Sequence, residues 1–351
     1  MPKRTLQTGV AYHSNRMPSH IRADMEQIAK ADMDIVVHMF THNDMERHRR
    51  IMKDIVQITA DNGLETWIDN WGLFGTCGDK SHFLSYHPEE RMYFSDGTPH
   101  PIMPCMNSPV YRQFIKDWID MTAELGAKTI FWDEPCFPRL TFDASNRPGP
   151  YACRCSRCQE RFQERFGHPM PLEIDDEVDQ FRTDTLLDFF GEITAYSASL
   201  GLKNAVCVML AKNIGINLDT LDRISSLPHL DNVGSDPYWY GQKNVSPYEY
   251  VYNGAKKNLE IATAAGKDHN VWIQGYAAPA GREEEIIEAT TAAYDAGART
   301  IISWGYMGSE SNDYGAEIPI RTWQATVEAM KLIRSVERQR IWEENRKKYI
   351  G

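Results

Sequence analysis

The sequence lacks the long apolar runs that membrane spans and secretory leaders require. A membrane helix needs about 18 consecutive apolar residues, and no such window occurs. The amino terminus reads MPKRTLQTGVAYHSN, which is basic but contains no apolar run of about seven residues, as a secretory signal would. We therefore expect a cytoplasmic protein without a membrane partner.

The sequence also has fewer basic than acidic residues. The chain of 351 residues has 38 Lys and Arg against 49 Asp and Glu, which gives a net charge of −11. An acidic surface repels phosphate backbones, which argues against nucleic acid as a partner. The sequence also contains no glycine-rich loop of the kind that cradles phosphates. Nucleic acids and phosphorylated metabolites are therefore disfavoured as ligands.

No stretch rich in proline, glycine and serine divides the chain, so we expect a single domain over residues 1–351. Hydrophobic residues make up 42% of the sequence and charged residues 25%, as in ordinary globular proteins. The length fits one large α/β barrel, which typically needs about 250 residues plus insertions.

Short β-prone apolar runs recur along the chain and alternate with longer amphipathic stretches. We predict strands at Thr8–Tyr12, Ile35–Met39, Glu65–Asp69, Lys128–Trp132, Asn204–Met209, Asn232–Ser235, Asn270–Gln274 and Arg299–Trp304. The amphipathic stretches predict helices at Pro18–Ala31, Asp44–Asn62, Pro109–Leu125, Asp176–Leu200, Asn217–Ser226, Pro247–Ala265, Arg282–Ala296 and Ile320–Lys348. Eight such alternations indicate a single α/β fold, the (β/α)8 TIM barrel.

Two connections are too long for ordinary barrel turns. They follow the third and fourth predicted strands and form insertions at about 72–107 and 135–175. Long connections with little regular structure are usually functional. In a barrel, both would lie on the face that carries the active site.

Three cysteines stand close together in the second insertion. Cys153, Cys155 and Cys158 are spaced to supply three of the four ligands of a structural Zn²⁺ site. Cys105 in the first insertion and Cys136 are the two candidates for the fourth ligand, and the bound metal would then join the insertions. The other interpretation is a set of reduced thiols in a surface loop. We expect Cys77 and Cys207 to be ordinary thiols.

Several segments resemble the catalytic barrel of glycoside hydrolase family 42 β-galactosidases. They are Phe94–Gly97, Pro104–Arg112, Asp133-Glu134 and the Cys153–Cys158 run, which Gln159–Phe162 follows. The resemblance is specific over about 94–167. It implies a (β/α)8 barrel with a four-cysteine zinc site, and it favours Cys105 over Cys136 as the fourth ligand.

Polar and aromatic residues collect at the carboxyl ends of the predicted strands, where a barrel builds its pocket. Sugars offer C–H faces for aromatic rings and hydroxyls for charged acceptors, so this set suits a small carbohydrate substrate. Trp71, Trp239, Tyr276 and Trp304 are candidate stacking rings. The full predicted substrate-binding set is His13, Asp69, Asn70, Trp71, Asp133, Trp239, Gln274, Tyr276, Trp304 and Glu310.

Hydrolysis of a glycosidic bond needs two carboxyl groups. The resemblance implies that Glu134 is the general acid, and it puts the family's nucleophile at the end of the seventh strand. Gln274 stands there and cannot attack. We therefore assign the second role, nucleophile or base, to Asp236 at the end of the sixth strand, with Asp69 and Glu310 in reserve. The sequence thus predicts a glycosidase.

Two other functions stay open. His13, His38 and His42, with Asp69 or Asp236, could hold a catalytic divalent metal in a sugar isomerase, epimerase or lyase. A non-catalytic sugar-binding barrel is the third interpretation, motivated by Gln274. A homo-oligomer also stays open.

Overall fold

The computed structural model describes residues 5–13, 15–75, 78–138, 140–141, 148–208 and 218–350, with side chains up to residue 344. Its barrel strands are β1 (Gln7–Tyr12), β2 (Ile35–Met39), β3 (Glu65–Asp69), β6 (Thr129–Asp133), β7 (Lys203–Cys207), β8 (Asn232–Ser235), β9 (Asp268–Gln274) and β10 (Thr300–Trp304). They close a barrel in the order β1-β10-β9-β8-β7-β6-β3-β2. The register is parallel where β1 pairs with β2 and β10. The predicted (β/α)8 barrel is confirmed.

Helices alternate with these strands. They are α1 (Pro18–Lys30), α2 (His42–Arg47), α3 (Arg49–Asp61), α4 (Phe83–Tyr86), α5 (Pro109–Leu125), α6 (Ser156–Phe166), α7 (Asp176–Ser199), α8 (Leu218–Ser225), α9 (Pro247–Ala264), α10 (Glu285–Asp295) and α11 (Pro319–Ile350). Short 3₁₀ turns occupy Pro88–Glu90 and Tyr306–Ser309. Met209, the last residue of the predicted fifth strand, and Cys77 lie outside the described residues.

Local sequence explains where these elements begin and end. In β2, all of Ile35–Met39 is buried, as expected for a parallel strand covered on both faces. Helix α5 starts where the Ser108 side chain accepts a hydrogen bond from the Tyr111 amide, and it ends at Gly126 in the left-handed conformation.

One predicted helix is divided. The stretch predicted as Asp44–Asn62 forms α2 and α3, because a capping box between Thr41 and Asp44 starts α2 early and His48 ends it. Both helices lie between β2 and β3 in the chain, so the barrel alternation is kept.

The insertions contain more regular structure than we expected. Strands β4 (Arg91–Tyr93) and β5 (Pro99–Pro104) form an antiparallel hairpin in the first insertion, and α6 lies in the second.

The chain divides into two compact units. The first unit comprises Met1–Met39, Lys53–Trp67 and Asn232–Gly351, and the second comprises Phe40–Met52 and Ile68–Asp231. Both insertions belong to the second unit. Single-domain organisation stays a prediction.

Among the described residues, no helix combines the length and the apolar character that a membrane crossing needs.

Candidate functional site

In the second unit, the carboxyl ends of β3 and β6 carry a cluster of acids. Asp69 is 0% exposed, and its two carboxylate oxygens accept no well-formed hydrogen bond from the described residues. Burial and the charge of Asp133 raise the pKa of Asp69 well above its usual range, while the Trp71 amide acts in the opposite direction. The buried side chain of Asn70 accepts a hydrogen bond of 2.8 Å from the Asp133 amide. Asp69 therefore favours its neutral form beside a second carboxyl group.

Glu134 directly follows β6 and is half-buried. Its amide donates to the Cys207 carbonyl at 3.2 Å, and its φ is 44°, in the left-handed region that non-glycine residues rarely adopt. Ala277, Met307 and Ser309, which follow β9 and β10, share this conformation. Such strain concentrates at functional sites, where the surrounding structure holds it in place.

Trp71 is buried, in contrast to an open stacking platform. Gly78, at φ 74°, packs on one face of its ring, where an added Cβ would lie 2.4 Å from an indole carbon. Gly78 therefore closes this face of the ring to a ligand.

In the first unit, an aromatic cluster accompanies Asp236 at the end of β8. Asp236 is half-buried, and the ring centroids of Tyr238 and Tyr276 lie 5.3 Å apart, edge to face. Tyr276 also meets Tyr314 at 5.5 Å, and Tyr314 is exposed. We call Tyr238, Tyr276 and Tyr314 the tyrosine cluster. Of these three, the predicted set contained only Tyr276, although Tyr238 follows Asp236 closely in the sequence. Nothing in the sequence pattern links Tyr314 to the ends of β8 and β9.

Trp239 is a correction to the predicted set. Its side chain is 0% exposed, and its indole nitrogen donates to Glu285 at 2.9 Å. It therefore offers no ring face to a ligand. Gln274 is also buried, and its side-chain carbonyl accepts a hydrogen bond from the Tyr240 amide at 3.0 Å. The glutamine at this position thus holds the loop after β8.

His13 lies at the end of β1, buried beside Trp304, with their ring centroids 5.6 Å apart. Burial and the nearby Arg16 lower the pKa of His13 to about 4, so the ring is neutral at pH 7. Because the Asn312 amide donates to Nδ1 at 2.8 Å, the ring proton is assigned to Nε2. His13 is thereby a hydrogen-bond donor at Nε2. Glu310, in the same segment as Asn312, is exposed.

The histidine set that would hold a catalytic metal is not among the metal-binding groups of the described residues. His38 is buried, and its Nε2 is bonded to the Thr59 hydroxyl at 2.8 Å. Burial lowers the pKa of His38 to about 3. His42 instead groups with Glu46 and His82.

The structure brings the three closely spaced cysteines together, and Cys105 is the fourth member of the cluster. The sulfurs of Cys105, Cys153, Cys155 and Cys158 all lie within 4.8 Å of one another. Cys105 Sγ is 3.5 Å from Cys158 Sγ and 3.6 Å from Cys155 Sγ. A tetrahedral zinc with Zn–S bonds of about 2.3 Å spaces its sulfurs about 3.8 Å apart. The four side chains therefore fit such an ion in size and chemistry, and Cys136 is outside the group.

Neighbouring groups shift the pKa values of the clustered thiols in opposite directions. The hydrogen bond with Cys105 contributes most to lowering the pKa of Cys155, whereas burial raises that of Cys153. The Asn107 amide contacts Cys158 Sγ at 3.4 Å. Arg157, which pairs with the buried Glu90 at 3.0 Å, adds positive charge.

The two insertions are also joined through the backbone. Phe94 forms a β-bridge with Ala152, the Ser95 amide donates to the Tyr151 carbonyl, and the Arg154 amide donates to the Tyr93 carbonyl. The segment before the cysteines thus extends the β4–β5 hairpin, which carries Cys105 towards the other three thiols.

No protein-family model matches the sequence, and no curated protein is significantly similar to it. Solved structures are similar in fold. The β-amylase catalytic domain from Paenibacillus polymyxa has a TM-score of 0.64 at 11% identity, covering 92% of this chain and 98% of that one. The endo-β-1,4-mannanase from Thermotoga petrophila has a TM-score of 0.59 at 12% identity, covering 95% and 77%.

A third similar structure is D-psicose 3-epimerase from Clostridium cellulolyticum H10, with a TM-score of 0.51 at 10% identity, covering 94% of this chain and 99% of that one. At these identities the likeness shows the (β/α)8 barrel fold, which the chain shares with glycoside hydrolases among other enzymes. The family 42 resemblance stays a prediction.

Proposed function

We propose that the protein is a glycoside hydrolase that acts on a small glycoside or oligosaccharide. The observation that carries the proposal is Glu134, a half-buried carboxyl group at the end of β6 that the backbone holds at φ 44° beside Asp133. In a barrel enzyme, the carboxyl ends of the strands form the active-site face. Glu134 would protonate the oxygen of the leaving group.

We propose Asp236 as the second carboxyl group, the nucleophile or base. Asp69 is less suitable, because burial and Asp133 favour its neutral form, which neither attacks nor accepts a proton. Glu310 is exposed. Asp236 is half-buried beside the tyrosine cluster, whose rings could accept the apolar face of a sugar.

The rest of the sugar site follows the predicted set with two changes. Tyr238 and Tyr314 join Tyr276, and Trp239 is removed because its ring is buried. Among polar groups, Asp133 is half-buried and would accept a hydrogen bond from a sugar hydroxyl. The complete proposed set is His13, Asp69, Asn70, Trp71, Asp133, Tyr238, Gln274, Tyr276, Trp304, Glu310 and Tyr314.

We propose that Cys105, Cys153, Cys155 and Cys158 bind a structural Zn²⁺, and that the chain is a divergent relative of family 42. The metal would hold two insertions together and would take no part in bond cleavage. The six described cysteines form no disulfide, which is in keeping with a reducing cytoplasmic location.

The test is hydrolysis of a panel of activated aryl glycosides by the wild type and by Glu134→Gln. The variant should lose turnover of the best substrate while its circular dichroism spectrum and zinc content stay those of the wild type. Unchanged turnover in the variant would remove Glu134 from the mechanism. Binding of glycosides by the wild type without any turnover would support a sugar-binding barrel instead.

A further inference from the structure

Three potential metal ligands lie together outside the cysteine cluster, all in the second unit. Helix α2 supplies His42 and Glu46 at positions i and i+4, and the first insertion supplies His82. Glu46 Oε1 lies 3.0 Å from His82 Nε2 and 3.6 Å from His42 Nε2. One donor atom from each residue lies within 4.8 Å of the others. Two imidazoles and a carboxylate are therefore within reach of a single ion.

His42 has one ring nitrogen fixed and the other directed to Glu46. Its Nδ1 is bonded to the Ser81 hydroxyl at 2.8 Å, and its ring packs on Phe114 with centroids 4.7 Å apart. The Ser81 oxygen also accepts the Phe83 amide, which fixes the hydroxyl. A metal-binding histidine usually has its other nitrogen held in this way by a neighbouring polar group.

His82 supplies the adaptable ligand. Its ring stacks on His42 with a centroid distance of 3.8 Å and an interplanar angle of 4°. The nitrogen lone pairs of two stacked rings lie in two separate parallel planes, so one ring must turn for both to point at one ion. His82 can do so, because 35% of its side chain is exposed and the edge of Tyr86 is its other ring neighbour among the described residues.

We propose that His42 Nε2, Glu46 and His82 Nε2 bind a divalent transition-metal ion such as Zn²⁺. Two histidines and a glutamate form a common zinc ligand set, with water in the remaining position. The ligand set contains no sulfur and lies on elements different from those of the cysteine cluster. The ion joins α2, which follows β2, to the segment that precedes α4. It thereby fixes the first insertion at a second point, independently of the cysteines and of the proposed hydrolysis.

Zinc counting after equilibrium dialysis tests the site. The folded full-length protein is dialysed against micromolar Zn²⁺, and bound zinc per chain is measured by atomic emission. His82→Ala should bind one equivalent fewer than the wild type. His87→Ala is the matched control, because His87 is a half-buried histidine of the same insertion that pairs with Glu89 outside the group. It should bind as much zinc as the wild type.

Two further variants separate this site from the cysteines. In a Cys155→Ser background, the equivalent that depends on His82 should persist. Ser81→Ala should weaken it by about 10- to 100-fold, the usual effect of removing a residue that orients a ligand. Equal zinc content in the wild type and His82→Ala would overturn the proposal. So would equal zinc content in Cys155→Ser and in the Cys155→Ser/His82→Ala double variant, because no His82-dependent equivalent would then remain. Co²⁺ bound at this site should show weak visible bands without sulfur charge transfer, and a sulfur band that His82→Ala abolishes would also contradict it.

Discussion

The side-chain carbonyl of Asn70 accepts a hydrogen bond of 2.8 Å from the backbone amide of Asp133. This bond ties the end of β3 to the end of β6, immediately before Glu134. The position of the proposed general acid thus depends on a neighbouring strand as well as on its own.

Asn70→Ala should remove this tie and lower kcat by roughly 100-fold, because small displacements of a catalytic group are costly. The measurement is steady-state kinetics on an aryl glycoside, together with a thermal melt. Asn70→Asp retains an acceptor oxygen and is the matched variant. Equal kcat in the wild type and Asn70→Ala would show that the bond does not position Glu134.

Cys155→Ser should lower the zinc content by one equivalent and destabilise the protein by about 4 kcal/mol or more, since loss of a structural metal is among the most destabilising changes. Metal analysis and denaturant unfolding check this. Cys136→Ser is the control, because Cys136 is buried but outside the group. If Cys155→Ser bound as much zinc as Cys136→Ser and unfolded at the same denaturant concentration, the four cysteines would not bind a structural metal.

Asp69→Asn should change the pH dependence of stability. The raised pKa means that folded Asp69 retains its proton at pH values where the unfolded chain, with a pKa of about 3.9, has lost it. The contribution of Asp69 to the free energy of unfolding is therefore fully present below about pH 4. It is lost as the pH rises through the folded pKa. Asp69→Asn has no carboxyl group to ionise at this position. Its free energy of unfolding should therefore increase relative to that of the wild type as the pH increases.

Denaturant unfolding of both proteins from about pH 4 to about pH 8 measures the difference. Asp133→Asn should reduce it, because the charge of Asp133 is the second cause of the raised pKa. If the difference in free energy of unfolding between the wild type and Asp69→Asn stayed constant across this range, the raised pKa of Asp69 would be contradicted.

Trp239→Phe should lower stability, whereas Tyr276→Ala should mainly weaken substrate binding. Trp239 is buried and bonded to Glu285, so its replacement should cost about 1–3 kcal/mol of stability with KM unchanged. Tyr276 is half-buried within the tyrosine cluster, so its loss should raise KM with a smaller effect on stability. A raised KM in Trp239→Phe with full stability would restore it as a stacking residue.

The barrel could be predicted from sequence because its signals are local. β2, β3 and β8 have the predicted bounds. In β2 the signal is a buried β-branched run, Ile35–Val37. The division between α2 and α3 was missed, because a capping box at Thr41 competes with a continuous apolar periodicity. The β4–β5 hairpin was missed because long-range backbone pairing with Ala152 supports it.

The site was predicted less completely. Spacing identified Cys153, Cys155 and Cys158, but their contact with Cys105 depends on the hairpin. Tyr238, Trp239 and Tyr240 are consecutive aromatic residues, and sequence alone does not show which of their rings is buried. The pairing of Trp239 with Glu285 decides this, and it joins residues far apart in the chain.

The most direct test of the central claim is a crystal structure of Glu134→Gln with a bound oligosaccharide. The amide side chain that replaces Glu134 should lie within hydrogen-bond distance of the glycosidic oxygen, and Asp236 should face the anomeric carbon from the opposite side. In the wild type, a carboxyl separation of about 5–5.5 Å would then predict retention, and about 6.5–9.5 Å inversion. An anomeric carbon flanked by carboxyl groups from positions other than 134 and 236 would contradict the proposed mechanism.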